Sequence, residues 1–195
     1  MAGEPYSRPD PTLYPGNAPD AAAGSAVSLS AIFAGTIAAI ASTLMLVMLG
    51  SAFGLATVSP WPGVGASPTA FTIGAGLWLI VTQWLSSAIG GYMAGRLRTR
   101  WHGLHTDEVF FRDTAHGFLT WALATVVVAT VAVAATSLSN LAATPIDTDV
   151  TANTVDAARK VAAQFAAFGG ISLVIGAFVG SVAGAIGGRL RDLHP

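Results

Sequence analysis

The residues of this chain best able to do chemistry lie between Arg96 and His116, where Arg96, Arg98, Arg100, His102, His105, Asp107, Glu108, Arg112, Asp113 and His116 crowd together. Imidazoles beside carboxylates are the donors of a transition-metal site, which needs two or three of them converging on one point. The spacing of His102, His105 and His116 forms no compact ligand pattern, so they are weak candidates and no metal site is assigned. The same stretch has a structural reading. Thr106 can cap a helix whose first turn carries Asp107 and Glu108, where carboxylates meet the positive end of the helix dipole. Glu108 and Arg112 then stand one turn apart. Asp113 and Glu108 are expected to hold Arg112, Arg96 or Arg189 in a charge clasp at a membrane surface, with Arg98 and Arg191 in the same group. Partly exposed pairs of this kind are worth no more than about 1 kcal/mol each.

The rest of the composition removes other chemistries. The chain has 195 residues and no cysteine, which excludes disulfides, thiolate metal sites, iron–sulfur clusters and attached c-type haem. A net charge of -1 leaves no footprint for nucleic acid. No cofactor and no catalytic residue are assigned.

The elements that must position these residues are membrane spans. Charged residues make up 10% of the chain against 53% apolar, and mean hydropathy is +0.63. No charge occurs between Asp20 and Arg96, between Asp113 and Asp147, or between Lys160 and Arg189. A helix needs roughly 20 apolar residues to cross about 30 Å of hydrocarbon. The first uncharged block holds two such helices, separated by Ser59-Pro-Trp-Pro-Gly-Val-Gly-Ala-Ser-Pro68, where prolines remove backbone donors and glycines free the backbone. Four spans follow, at about 27–55, 69–95, 114–138 and 161–188, forming an all-α four-helix bundle as a single domain over 25–195. Residues 1–24, rich in proline, alanine and glycine, are expected to be a disordered tail. The first span is too long for a signal-peptide apolar region and is expected to be retained.

Basic residues flanking spans are kept on the cytoplasmic side. Arg8, Arg96, Arg98, Arg100, Arg112, Arg189 and Arg191 fall on one side, against Arg159 and Lys160 on the other. Both termini are therefore expected to be cytoplasmic, in a multi-pass protein of the bacterial inner membrane.

Sliding the second span by 93 positions onto the fourth matches Gly91, Gly95, Arg96, Leu97 and Arg98 with Gly184, Gly188, Arg189, Leu190 and Arg191. The chain then reads as two tandem helical hairpins of like orientation, unlike the inverted repeats of many transporters. The fourth span carries Gly176, Gly180, Gly184 and Gly188, a glycine zipper at a spacing of four, the second carries Ser87, Gly91 and Gly95, and the first adds Gly50 and Gly54. Lipid cannot drive helices together by hydrophobicity, so close backbone approach at small residues supplies much of their association. These faces either close the bundle or meet another copy or a larger membrane complex. Both readings stand at this point.

Gly90-Gly-Tyr-Met-Ala-Gly-Arg-Leu-Arg98 and His105-Thr-Asp-Glu-Val-Phe-Phe-Arg-Asp-Thr-Ala-His-Gly-Phe-Leu-Thr-Trp-Ala-Leu-Ala-Thr125, with Ala31-Ile-Phe-Ala-Gly35 and Val58-Ser-Pro-Trp-Pro-Gly63, make residues 27–140 similar to a family of uncharacterised small integral membrane proteins of alphaproteobacteria, sometimes labelled PhnA-like. The resemblance implies a multi-pass membrane protein. It brings no activity, cofactor or catalytic residue onto these positions.

The resulting expectation is a non-enzymatic membrane protein acting as a structural or interaction module, with the lipid bilayer and a homo-oligomer or larger complex as its partners. An oligomeric channel or carrier for a small solute is the first alternative. A metal-binding sensor or membrane-surface enzyme built on residues 102–116 is the second.

Overall fold

The computed structural model describes residues 26–59, 61, 63–100, 105–142 and 151–193. The tail 1–24, His102 and the outer-loop acids Asp147 and Asp149 lie outside them. Four α-helices follow in order: α1 Leu29–Thr57, α2 Pro68–Leu97, α3 Thr106–Ala142 and α4 Ala152–Leu193. All four are long and apolar enough to cross a membrane.

Each boundary has a local cause. Between α1 and α2 the chain reverses through Gly63 and Gly65, whose φ angles of 75° and 97° lie where a side chain is disfavoured. The Ala66 amide donates to the Thr57 carbonyl at 2.9 Å and closes that turn. Ser67 caps α2, its hydroxyl accepting from the Ala70 amide, and Pro68 takes the first helical position, where its missing donor has no cost. α3 begins one residue earlier than expected from its cap. Thr106 is already helical, and the His105 carbonyl accepts the first bond, from Val109. Thr151 caps α4 by accepting from the Thr154 amide.

α3 and α4 are longer than the spans the sequence marks out. At about 1.5 Å per residue, their 37 and 42 residues far exceed the hydrocarbon thickness. Charge limits where a helix can be immersed, not where it can form. Thus Thr106–Asp113 winds onto the start of α3, and Ala152–Lys160 onto the start of α4, with an exposed Asp156–Lys160 pair at 2.8 Å one turn apart.

Around the bundle the order is α1, α2, α4, α3. α2 and α3 also touch across the diagonal, whereas α1 and α4 do not meet among the described residues. The start of α1, the end of α2, the start of α3 and the end of α4 share one end, as shown by the Ser28 amide donating to His116 and by Arg191 reaching the Gly95 carbonyl. α2 and α4 therefore run side by side in the same direction. The relation is not symmetric, because the α2–α3 contact has no α1–α4 counterpart.

The interior is built from small residues. Among the described residues, six of the eight buried apolar ones are alanine (Ala31, Ala39, Ala94, Ala124, Ala183, Ala185), joined by the hydroxyls of Thr36, Thr72, Thr82, Ser86, Ser87, Thr120 and Ser172. Large side chains such as Phe33, Met48, Trp84, Val126, Val174 and Phe178 point outward. That inversion of the soluble pattern follows where the surroundings are as apolar as leucine and only close approach or hydrogen bonding favours one helix over lipid.

Candidate functional site

Two features meet at the common end of the bundle: glycine faces in backbone contact, and a buried ion cluster directly beyond them. On α2 the neighbours Gly90 and Gly91 serve different helices. A Cβ on Gly90 would press on Ala39 and the Gly35 carbonyl of α1, and one on Gly91 would collide with the Gly180 backbone of α4. On α4, Gly187 lies against Tyr92 and Arg96 of α2, while Gly188 faces the Asp113 carboxylate of α3. Successive helical residues point about 100° apart, so each doublet gives one glycine to each neighbour.

The remaining glycines of the expected faces are placed as follows. Gly95 meets the backbone of Gly184 and Gly188, and Gly184 in turn faces the Asp113 carbonyl and Gly117. Gly180 sits beside Trp121 and Gly117, and Gly176 beside Gln83 and Trp121. Ser87 is buried. Gly50 receives the indole of Trp78, whose Nε1 donates to the Leu46 carbonyl at 2.9 Å. Gly54 has only ordinary contact with Phe71, at 3.4 Å. Contacts at Gly35, Gly90, Gly117 and Gly187 lie outside the stripes of four that the sequence displays. Doublets alone would not have found them, since Gly169 and Gly170 face open space.

Asp113 anchors the ion cluster. It and Arg98 are both 2% exposed and hydrogen-bonded to each other, with Arg191 Nη1 a further 3.8 Å from the carboxylate. Arg191 also donates to the Gly95 carbonyl at 3.0 Å and to Asp192 at 2.8 Å, and Arg100 donates to the Arg191 carbonyl at 2.7 Å. The cluster thus ties the ends of α2 and α4 to the start of α3. Arg98 lies just past α2 in extended backbone, which frees its side chain to turn inward. Burial pushes its guanidinium below the ordinary arginine range, and the bond to Asp113 pulls it back.

This corrects the expected pairing. Asp113 does not hold Arg96 or Arg189. Arg96 is still helical and half-buried, with Nη1 unpartnered among the described residues, and Arg189 is exposed. Glu108 does take Arg112, at 2.6 Å and largely at the surface. The clasp is therefore one buried triad and one exposed pair. Removing a partner from the triad would strand a buried charge, a larger penalty than a partly exposed pair carries.

His116 is also a tie between helices. It is 1% exposed, its Nε2 accepts from the Ser28 amide at 2.8 Å, and its Nδ1 lies 2.6 Å from the Arg112 carbonyl. A carbonyl only accepts, so Nδ1 carries the proton and the ring is neutral. Both nitrogens are engaged, which leaves none for a metal. His105 is exposed, and no cluster of three metal-capable residues exists among the described residues.

The class defined by this fold is a multi-pass four-helix bundle with small-residue interfaces and one ion-locked end. Comparison with protein-family models, with curated proteins and with solved structures gives no match.

Proposed function

We propose that the chain is a structural or interaction module of the bacterial inner membrane, without catalysis of its own, with both termini on the cytoplasmic side. The observation that carries this reading is the use made of its most reactive residues. Asp113, Arg98, Arg191 and His116 are all engaged in joining the helices to one another at one end of the bundle. The orientation rests on the basic residues gathered at that end. A membrane protein of the alphaproteobacterial family it resembles would suit both statements.

The bundle also offers a surface for a partner. Because the glycine faces pack against helices of the same chain, another protein would meet the outer parts of α3 and α4, where Val126, Val131, Val133, Leu138, Val155 and Val161 are exposed. Cysteines at Val133 and Val161, cross-linked in native membranes, test this. A discrete adduct to a second copy or to one companion protein is expected. A protein that remains monomeric at every such position, in membranes and in nanodiscs, overturns the module reading.

A further inference from the structure

Beneath the ion-locked end, around the middle of α2, lies a crevice of about 250 Å³ walled by α1, α2 and α3, with Leu173 contributed by α4. Most of its wall is apolar: Ala39, Ala124, Val128, Ala129 and Ala132, closed on one side by the ring of Trp121. Gln83 stands in it, at the midpoint of α2. Its one hydrogen bond among the described residues is a long 3.5 Å contact with Ser87 on its own helix.

A carboxamide held by one long hydrogen bond is costly to bury among apolar groups, because hydrocarbon offers it nothing else to bond. The surrounding groups do not relieve it. Thr43 and Ser86 donate to carbonyls of their own helices. Among the described residues, Thr120, fully buried in the crevice wall, has no partner for its hydroxyl, and the Trp121 indole N–H, which can only donate, has none either. Gln83 Nε2 and Trp121 Nε1 both pack close to Gly176 of α4, 2.5 and 2.7 Å from where a Cβ would sit, so the two donors lie near one another at the wall of the crevice. The Trp121 N–H needs an acceptor, and the Thr120 hydroxyl can donate or accept. An apolar cavity with a few convergent polar groups is the usual form of a small-molecule site.

We propose that this crevice binds a lipid-soluble ring compound bearing a carbonyl, which enters from the bilayer and accepts a hydrogen bond from the Gln83 amide. Size supports a ring: a cavity of about 150 Å³ accommodates benzene, so the present volume suits a substituted or fused ring. Position supports entry from lipid. From Val126 outward α3 is exposed, so the crevice wall it forms borders the bilayer.

The test uses the full chain in nanodiscs with 1,4-naphthoquinone as probe and naphthalene as the same ring system without carbonyls. Binding is read by quenching of tryptophan fluorescence and by native mass spectrometry. One naphthoquinone per chain with saturable quenching is expected, and naphthalene should bind about tenfold or more weakly, the worth of one hydrogen bond. Gln83→Leu should reduce naphthoquinone binding to the naphthalene level while keeping the fold, since the amide gives up one long hydrogen bond on its own helix. Ala129→Leu, which adds bulk to the crevice at an exposed position, should abolish binding of both and serves if Gln83→Leu fails to fold. Linear, unsaturable quenching shared by the wild type and both variants overturns the proposal, as does equal affinity for naphthalene. Either result would leave the structural role of the bundle untouched, because cross-linking through α3 and α4 reads that independently.

Discussion

Asp113 of α3 and Gly188 of α4 share one space: the carboxylate lies where a side chain at position 188 would begin. The same carboxylate is held by Arg98 from α2. Three helices are thus fixed by one glycine and one ion pair, and the packing and charge features of the sequence form a single device. Its strength depends on burial, because the charges cannot be rehydrated without separating the helices.

Removing the counter-charge should therefore be expensive. Asp113→Asn leaves Arg98 buried opposite a neutral amide and should cost about 3 to 5 kcal/mol in SDS-titrated unfolding from mixed micelles. Salt should change that figure little, since buried pairs are weakly screened. Arg112→Ala, at the exposed pair, should cost no more than about 0.5 kcal/mol. Equal effects of the two would refute the distinction.

The glycines should separate in the same way. Gly184→Leu drives a side chain into the Asp113 carbonyl and the Gly117 backbone, and should destabilise by at least the roughly 1 to 3 kcal/mol typical of overpacking. Gly169→Ala and Gly170→Ala meet nothing within 4 Å and should be neutral or stabilising by up to about 1 kcal/mol through helix propensity. Thermal unfolding in nanodiscs ranks the three variants. A tolerated Gly184→Leu would mean that α3 and α4 lie further apart.

His116 should behave as a structural residue. His116→Ala removes the acceptor of the Ser28 amide and should cost about 1 to 3 kcal/mol, while His105→Ala is silent. Replacing His102 and His105 together by alanine should leave stability unchanged as well. Protein purified without an affinity tag should contain no stoichiometric zinc, iron or copper by elemental analysis. Metal present in the wild type and lost in the double variant would establish a site.

Membrane orientation is open to direct labelling, since the chain has no native cysteine. In intact spheroplasts an impermeant maleimide should label Asp149→Cys and spare Gly103→Cys. The reverse pattern would place the ion-locked end outside.

The sequence by itself determined the four helices, the turn between the first two and the concentration of charge at one end. Each is a property summed along the chain: a bilayer reads length and mean polarity, and glycine or proline stops a helix wherever it stands. The tertiary structure decided that Asp113 takes Arg98 and Arg191 instead of Arg96 or Arg189, that Gly90 and Gly91 serve different helices, and that Gly76 abuts Phe168 while Gly169, its counterpart in the repeat, faces open space. It also decided that Gln83 lines a crevice and packs against Gly176 of α4. These outcomes depend on the rotation of each helix about its axis and its offset along its neighbours. In helices apolar on every side, hydropathy carries almost no record of either, and both are set by which small residues let two backbones touch.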